Sequence, residues 1–273
     1  MTERLADVSA RIEGIRQLGS VVNAMKGIAA ARARAARGQL TAVDSYAATI
    51  STAMARILGP DRPDLPKGEG RTGLLVFLAE QGFAGAFSER VLDTLTDTKG
   101  PLLLVGARGL SVAAARGIDP LWHGALPSHS PGIPKLADTI TKALYQALDA
   151  GRFGRVEMVY TTWTKGQPEV VRRRLFPIDL SGFPAPDGNR PLTQLPPATL
   201  IARLGADYVH ARICQAALHA FAAENEARMQ AMSSASSQIA RELSGFEATL
   251  RRVRQEAITA EIIELGTGAA ANR

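Results

Sequence analysis

Four histidines and a single cysteine are the side chains of this sequence best suited to chemistry. Their spacing offers them little to do. His123, His129, His210 and His219 form no HExxH and no paired His/Cys pattern, so no metal site is expected. Cys214 stands alone, which excludes an internal disulfide and a thiolate zinc cluster. No GxSxG is present, and no nucleophilic triad can be assembled from recognisable motifs. Two glycine-bearing loops follow apolar runs: "EQGFAGAF" with Glu80, Gly82 and Gly85, and "VGARGLSVAAARG" with Gly106 and Gly109. Neither has the spacing of a dinucleotide fingerprint or of a phosphate-binding P-loop. Their glycines are expected to serve tight strand-to-helix turns. No catalytic residue and no cofactor are therefore assigned. The last polar concentration, "RRVRQEAITAEIIELGTGAAANR", crowds basic, acidic and small residues onto the end of a long helical pattern.

The elements around these residues fall into three blocks. In the first, about Thr2 to Leu58, Leu5, Val8, Ile12, Ile15, Leu18, Val22, Met25 and Ile28 recur three and four apart, a helical stripe. It stops at "LGPDRPDLPKGEG", where Gly and Pro end helices. The last block, about Thr199 to Leu265, starts after "LPPATL" and is expected to end at Gly266. Within it Ile239, Leu243, Phe246, Leu250, Val253 and Ala257 step by four, three, four, three, four, a heptad seam that calls for a partner helix. At 1.5 Å per residue these two helices reach roughly 80 to 100 Å, several times a small domain. Helices of that length draw their stability from packing, so the economical solution pairs them antiparallel and lets them project.

The middle block alternates strand and helix patterns. "TGLLVFLA", "PLLLVGA", "RVEMVYTTW" and "VVRRRLFPIDL" read as strands; "SERVLDTLTD", "RGLSVAAARG" and "KLADTITKALYQALDAG" read as helices. The fold class is α/β: a long antiparallel coiled coil of N- and C-terminal helices plus a small Rossmann-like domain with a largely parallel sheet. The expected domains are an N-terminal helix over 1–58, the α/β domain over 70–182, a linker over 183–198 and the C-terminal helix over 199–273.

Composition limits the partners. The chain has 273 residues, a formal net charge of +6 and 5% aromatic residues, with arginine clusters at Arg32, Arg34, Arg37 and at Arg172, Arg173, Arg174. No aromatics interleave with these arginines as a single-strand binder needs, so nucleic acid is not expected. Arg32, Arg34 and Arg37 are either a solvated face or a contact for an acidic partner. No apolar run approaches the ~20 residues of a membrane span, and the start shows no apolar signal segment. A soluble, cytoplasmic chain without direct membrane insertion is expected.

Three stretches resemble one family. "SVVNAMKGIAAARARAA" at Ser20 to Ala36 is similar to the N-terminal helix of the gamma subunit of F-type ATP synthases. "ENEARMQAMSSAS" at Glu224 to Ser236 resembles that family's S-E-x-x-A-R-M-x-A-M-x-x-A-T, and "RQEAITAEIIELGTGAAA" at Arg254 to Ala271 resembles its terminal R-Q-A-x-I-T-x-E. The three occur in order and span nearly the whole chain. The family's S-D-R-G-L-C-G-x-x-N loop is "AEQGFAGAFSE" here, so its charged pair is expected to be lost. A following A-T-x-N-A becomes "ASSQIA", and a Y-N before R-Q is missing. The start and the Q-G loop are more similar to gamma subunits of the alternative N-ATPase branch.

The resemblance implies a central-stalk rotor shaft, non-catalytic in itself, that couples ion translocation to ATP synthesis or hydrolysis on beta subunits. Its implied partners are the alpha and beta subunits, the epsilon subunit and the membrane c-subunit ring. Its implied place is the cytoplasmic face of the inner membrane, peripheral to a membrane complex. By motif match, Arg254, Gln255, Thr259 and Glu261 correspond to contacts with the beta-subunit catch loop, with Met25 and Lys26 on the opposing helix. Two other readings of the same architecture are a structural coiled-coil adaptor and a nucleotide-binding Rossmann-like enzyme whose helices oligomerise.

Overall fold

The computed structural model describes residues 2–59, 70–95, 100–185 and 191–271. Two long helices bracket a five-stranded α/β domain: α1 (Thr2–Leu58) and α5 (Pro197–Ala271). Between them lie β1 (Thr72–Phe77), α2 (Phe87–Asp93), β2 (Leu102–Val105), α3 (Ala107–Ala115), β3 (Trp122–Gly124), α4 (Ile133–Asp149), β4 (Arg155–Thr164) and β5 (Gln167–Phe176). The expected end at Gly266 is not observed, since α5 continues through it to Ala271. The chain forms two compact units: Met1–Ile28 with Met229–Arg273, and Ala29–Arg228. The division falls inside both long helices.

α1 buries one heptad stripe from end to end. The less exposed positions are Leu5, Val8, Ile12, Ile15, Gly19, Val22, Lys26, Ala29, Ala33, Ala36, Leu40, Val43, Ala47, Ile50 and Met54, an unbroken alternation of three and four. This corrects the apolar stripe read from composition. Leu18 and Ile28 are 53% and 54% exposed, while Gly19 and the aliphatic stem of Lys26 take the seam positions. The 3.5-residue period is kept by geometry even where the residue type is not apolar.

In the first unit α1 and α5 run antiparallel: Arg16 pairs with Glu247, a Cβ on Gly19 would lie 3.4 Å from Ile239 Cγ2, and Lys26 Nζ donates to Ser233 Oγ at 3.3 Å. The Ser236 hydroxyl also hydrogen-bonds Asn23 Oδ1 at 3.2 Å. The expected seam on α5 is present, with Val253 buried and Ile239, Leu243, Phe246, Leu250 and Ala257 half-buried. This register sets the first turn of α1 near Glu256, so α5 extends past the start of α1.

The second unit is built on a sheet of order β3-β2-β1-β4-β5, parallel except for the β4/β5 pair. The expected strands and helices all form. β3 is the addition, three residues long and too short to leave a periodic signal. β4 and β5 join through Lys165 and Gly166, both at positive φ, the geometry of a two-residue hairpin turn. One side of the sheet packs Leu75, Phe77, Leu103, Val156, Met158 and Tyr160 against α4 and the Ile213–Ala222 stretch of α5. The other side packs Leu74, Val76, Leu104 and Val159 beneath α2 and α3.

Candidate functional site

The sheet's strands end in loops at one edge, where the topology of a parallel sheet normally seats a ligand. The glycines there serve backbone geometry. Gly106 sits at φ +116°, and a Cβ on it would lie 2.5 Å from the Leu78 carbonyl oxygen. A Cβ on Gly109 would lie 2.1 Å from Leu78 Cβ, so α3 is seated directly on the end of β1.

A carboxylate from the chain itself occupies the anion position. Glu80 Oε2 accepts the backbone N–H of Ala107 at the start of α3, at 2.9 Å, and that of Leu126, at 2.7 Å. In an enzyme of this topology a phosphate would take those amides. The charged pair expected to be lost is thus only half lost: Glu80 stands where the family pattern has Asp, and Gln81 replaces the Arg.

Residues 224–228 of α5 close the same loop. Glu224 accepts the N–H groups of Glu80 and Gln81 at 3.1 and 3.0 Å and pairs with the Arg228 guanidinium. Arg228 also donates to the carbonyls of Gly82 and Gln81, at 3.1 and 3.2 Å, and to Asn225 Oδ1 at 3.0 Å. Glu224, Asn225, Glu226 and Arg228 are all buried, a polar concentration within the buried, alanine-rich stretch of α5. Each charge has its partner, which buried charges require. Sequence reasoning recognised this stretch as a motif but gave its side chains no role. The signal was two acids and an arginine at i, i+2 and i+4 within an alanine-rich run.

The expected contact residues are placed as follows. Arg37 pairs with Glu226 while remaining exposed, and Arg32 Nη1 donates to Gln81 Oε1 at 3.3 Å, so each has a partner within the chain. Arg34 is exposed and donates to the Ala30 carbonyl of its own helix at 3.3 Å. Met25 and Lys26 are half-buried, Lys26 in the seam against Ser233. Arg254, Gln255, Thr259 and Glu261 are all exposed on the last turns of α5. The Thr259 hydroxyl is turned back to the Gln255 carbonyl at 2.9 Å.

The remaining chemical groups are quiet. His210 Nε2 lies 3.1 Å from Asp138 Oδ1 and 3.2 Å from the Pro134 carbonyl, and its Nδ1 lies 3.9 Å from Cys214 Sγ. The order Cys–His–Asp resembles a nucleophilic triad, but burial pushes the Cys214 thiol up to about 11. At pH 8 only about one thiol in a thousand is then ionised, and the thiolate is the nucleophile. Cys214 in the folded chain is expected to react with an aromatic disulfide reagent at least about a hundredfold more slowly than in urea, as followed by absorbance. Among the described residues no cluster of His, Cys, Asp or Glu can hold a metal.

The chain is 27% identical to the ATP synthase gamma chain of Clostridium perfringens and 28% identical to that of Gluconobacter oxydans, covering 98% of itself in each case and 98% and 99% of those proteins. A family model described as ATP synthase matches residues 4–271. The chain belongs to the ATP synthase gamma-chain family. Solved structures agree in fold: the rotor of Euglena gracilis mitochondrial ATP synthase gives a TM-score of 0.67 at 13% identity, covering 94% of this chain and all of the other. A second Euglena assembly, comprising OSCP, F1 and c-ring, gives 0.68 at 16% identity over 99% of this chain and 95% of the other. Within the gamma family, Glu224 and Arg228 are the buried pair of the "ENEARM" motif, and the exposed polar groups of α5 lie in the terminal "RQEAIT" motif.

Proposed function

We infer that this chain is the rotor shaft in the central stalk of a rotary F-type ATP synthase or ATPase. The observation that carries the reading is the family match over residues 4–271, which takes in both long helices and the domain between them. The chain is a non-catalytic subunit. It couples ion flow through the membrane sector to ATP synthesis or hydrolysis on the beta subunits, and it works with alpha, beta and epsilon subunits and the c-ring. Its own geometry supports this: a parallel sheet whose anion position is filled by Glu80 has no place for a nucleotide phosphate there.

A rotor shifts the affinities of catalytic sites only by contacting their states unequally. Arg254, Gln255, Thr259 and Glu261 are our candidates for that contact on α5, supported by the exposure of all four. Met25 and Lys26 are candidates for a separate contact on α1, since Lys26 faces Ser233, well along α5 from Arg254, where it also holds the seam. Arg34 and Arg37 are the exposed members of the basic cluster, and Arg34, with no carboxylate on it among the described residues, is our candidate for an acidic partner. The protein is a peripheral part of a membrane complex, and among the described residues no helix is long and apolar enough to cross a membrane. We place it on the cytoplasmic face of the inner membrane.

The test is reconstitution. The purified chain alone is expected to hydrolyse no ATP, and to confer cooperative ATPase activity on its alpha and beta subunits. Failure to bind those subunits would overturn the reading. The subunits that co-purify with it also separate a housekeeping synthase from the alternative N-ATPase branch.

A further inference from the structure

β4 and β5 are ten residues each and outrun the four to six of their neighbours. Their register pairs Met158 with Arg173, Tyr160 with Val171, Thr162 with Glu169 and Thr164 with Gln167. These residues share the face toward α5, since side chains alternate along a strand. Near the sheet's centre that face is apolar, but beyond Tyr160 it becomes polar. α5 answers with a polar stripe of its own: Arg212, Gln215 and His219, spaced three and four apart among buried Ile213, Cys214, Ala216, Ala217 and Leu218. Hairpin and helix enclose a cleft of about 640 Å³.

Two guanidiniums line this cleft, and among the described residues neither forms an ion pair. Arg212 Nη1 donates to Gln215 Oε1 at 2.7 Å, and the Gln215 amide donates in turn to Asp44, which keeps that carboxylate bound to an amide. Arg173 and Tyr160 line the cleft together. The Tyr160 and His219 rings stack at 5.8 Å and 24°, forming a rigid wall between the arginines. Burial pushes the His219 pKa down, so the charged side chains lining the cleft are Arg173, Arg212 and a single carboxylate, Glu169. The neighbouring Arg172 differs: it points to the opposite face and is paired with Glu157.

We propose that the cleft between β4, β5 and α5 is an oxyanion site that takes a phosphate group between Arg173 and Arg212. A planar fork of donors on each side suits the tetrahedral oxygens of a phosphate, which guanidinium binds through paired hydrogen bonds. The group comes from inorganic phosphate or from the end of a nucleotide. A cation is disfavoured because the two arginines outnumber the one carboxylate of the lining, and a wholly apolar ligand would leave both without an anionic partner.

The full chain is titrated with inorganic phosphate and, separately, with ADP, using calorimetry and the His219 ring resonances in NMR. Saturable binding is expected, with a shift of the His219 signals that requires no variant to fold. Arg212→Gln and Arg173→Gln are each expected to weaken binding about tenfold or more, the loss of one charge-assisted hydrogen bond. Arg172→Gln, the adjacent residue on the other face, is expected to leave it unchanged. Tighter binding of ADP assigns the site to a nucleotide, and equal or weaker binding assigns it to free phosphate. No saturable binding of either, an unmoved His219, or an equal loss in Arg172→Gln would overturn the proposal, the last by showing general attraction to a basic strand.

Discussion

Arg228→Ala is expected to destabilise the chain by about 3–5 kcal/mol, because it strips the partner from a buried carboxylate. Glu224 is 2% exposed and Arg228 5%, so water does not replace the lost guanidinium without opening the loop. The two backbone N–H groups of Glu80 and Gln81 would remain on Glu224, which sets the cost toward the lower end of that range. The carbonyls of Gln81 and Gly82 lose their donor at the same time. For a chain of this size the change corresponds to a fall in Tm of about 6–20 °C, read by circular dichroism. The double variant Glu224→Gln with Arg228→Gln removes both charges together and is expected to recover part of the loss, as coupled partners do. A fall of less than about 1 kcal/mol for Arg228→Ala would mean that solvent already reaches Glu224, against the burial seen here.

This cluster also shows where sequence reasoning stopped. Charged residues in a long helix read as a solvated face, and three of the charges in 224–228 have the same types and spacing as surface pairs. Their burial is decided by the loop after β1 docking onto α5, a contact about 140 residues away in the chain. The pairings of Arg32 and Arg37 have the same cause, because each partner lies on a distant segment. What was legible was periodic or local. The α5 seam from Ile239 to Ala257, the strands β1, β2, β4 and β5, and the absence of a nucleotide fingerprint all follow from residue type and spacing.

On α1 the period was legible but its phase was not. Leu18 and Ile28 looked like seam residues because they are large and apolar, whereas the helix turns the half-buried Gly19 and the buried Ala29 to the seam. Small residues suit a seam where two backbones come close, as the 3.4 Å spacing between the Gly19 site and Ile239 shows. Apolar side chains left outside on a helix have a surface to offer a partner, and Leu18, Val21 and Ile28 form such an outer stripe on a shaft that turns inside other subunits.

The larger functional effect is expected from converting Arg254, Gln255, Thr259 and Glu261 together to alanine. All four are exposed, so their removal leaves no buried partner unsatisfied. Alanine is the best helix former, so α5 is expected to keep its helicity and the Val253 seam. A loss of function then reports contact with the partner, not folding. Each hydrogen bond or charge pair with a moving beta subunit is worth on the order of 1 kcal/mol. Four such terms, which need not add, correspond to a fall in coupled ATP turnover of about tenfold to several hundredfold. The measurement is ATP hydrolysis and ion pumping by the reconstituted complex, with assembly checked by co-purification of alpha and beta subunits. Turnover should fall while assembly persists, because the heptad seams and the α/β domain are untouched. A variant that assembles and still turns over at the unaltered rate would remove these four residues from the grip and leave the work of coupling to the outer apolar stripe of α1.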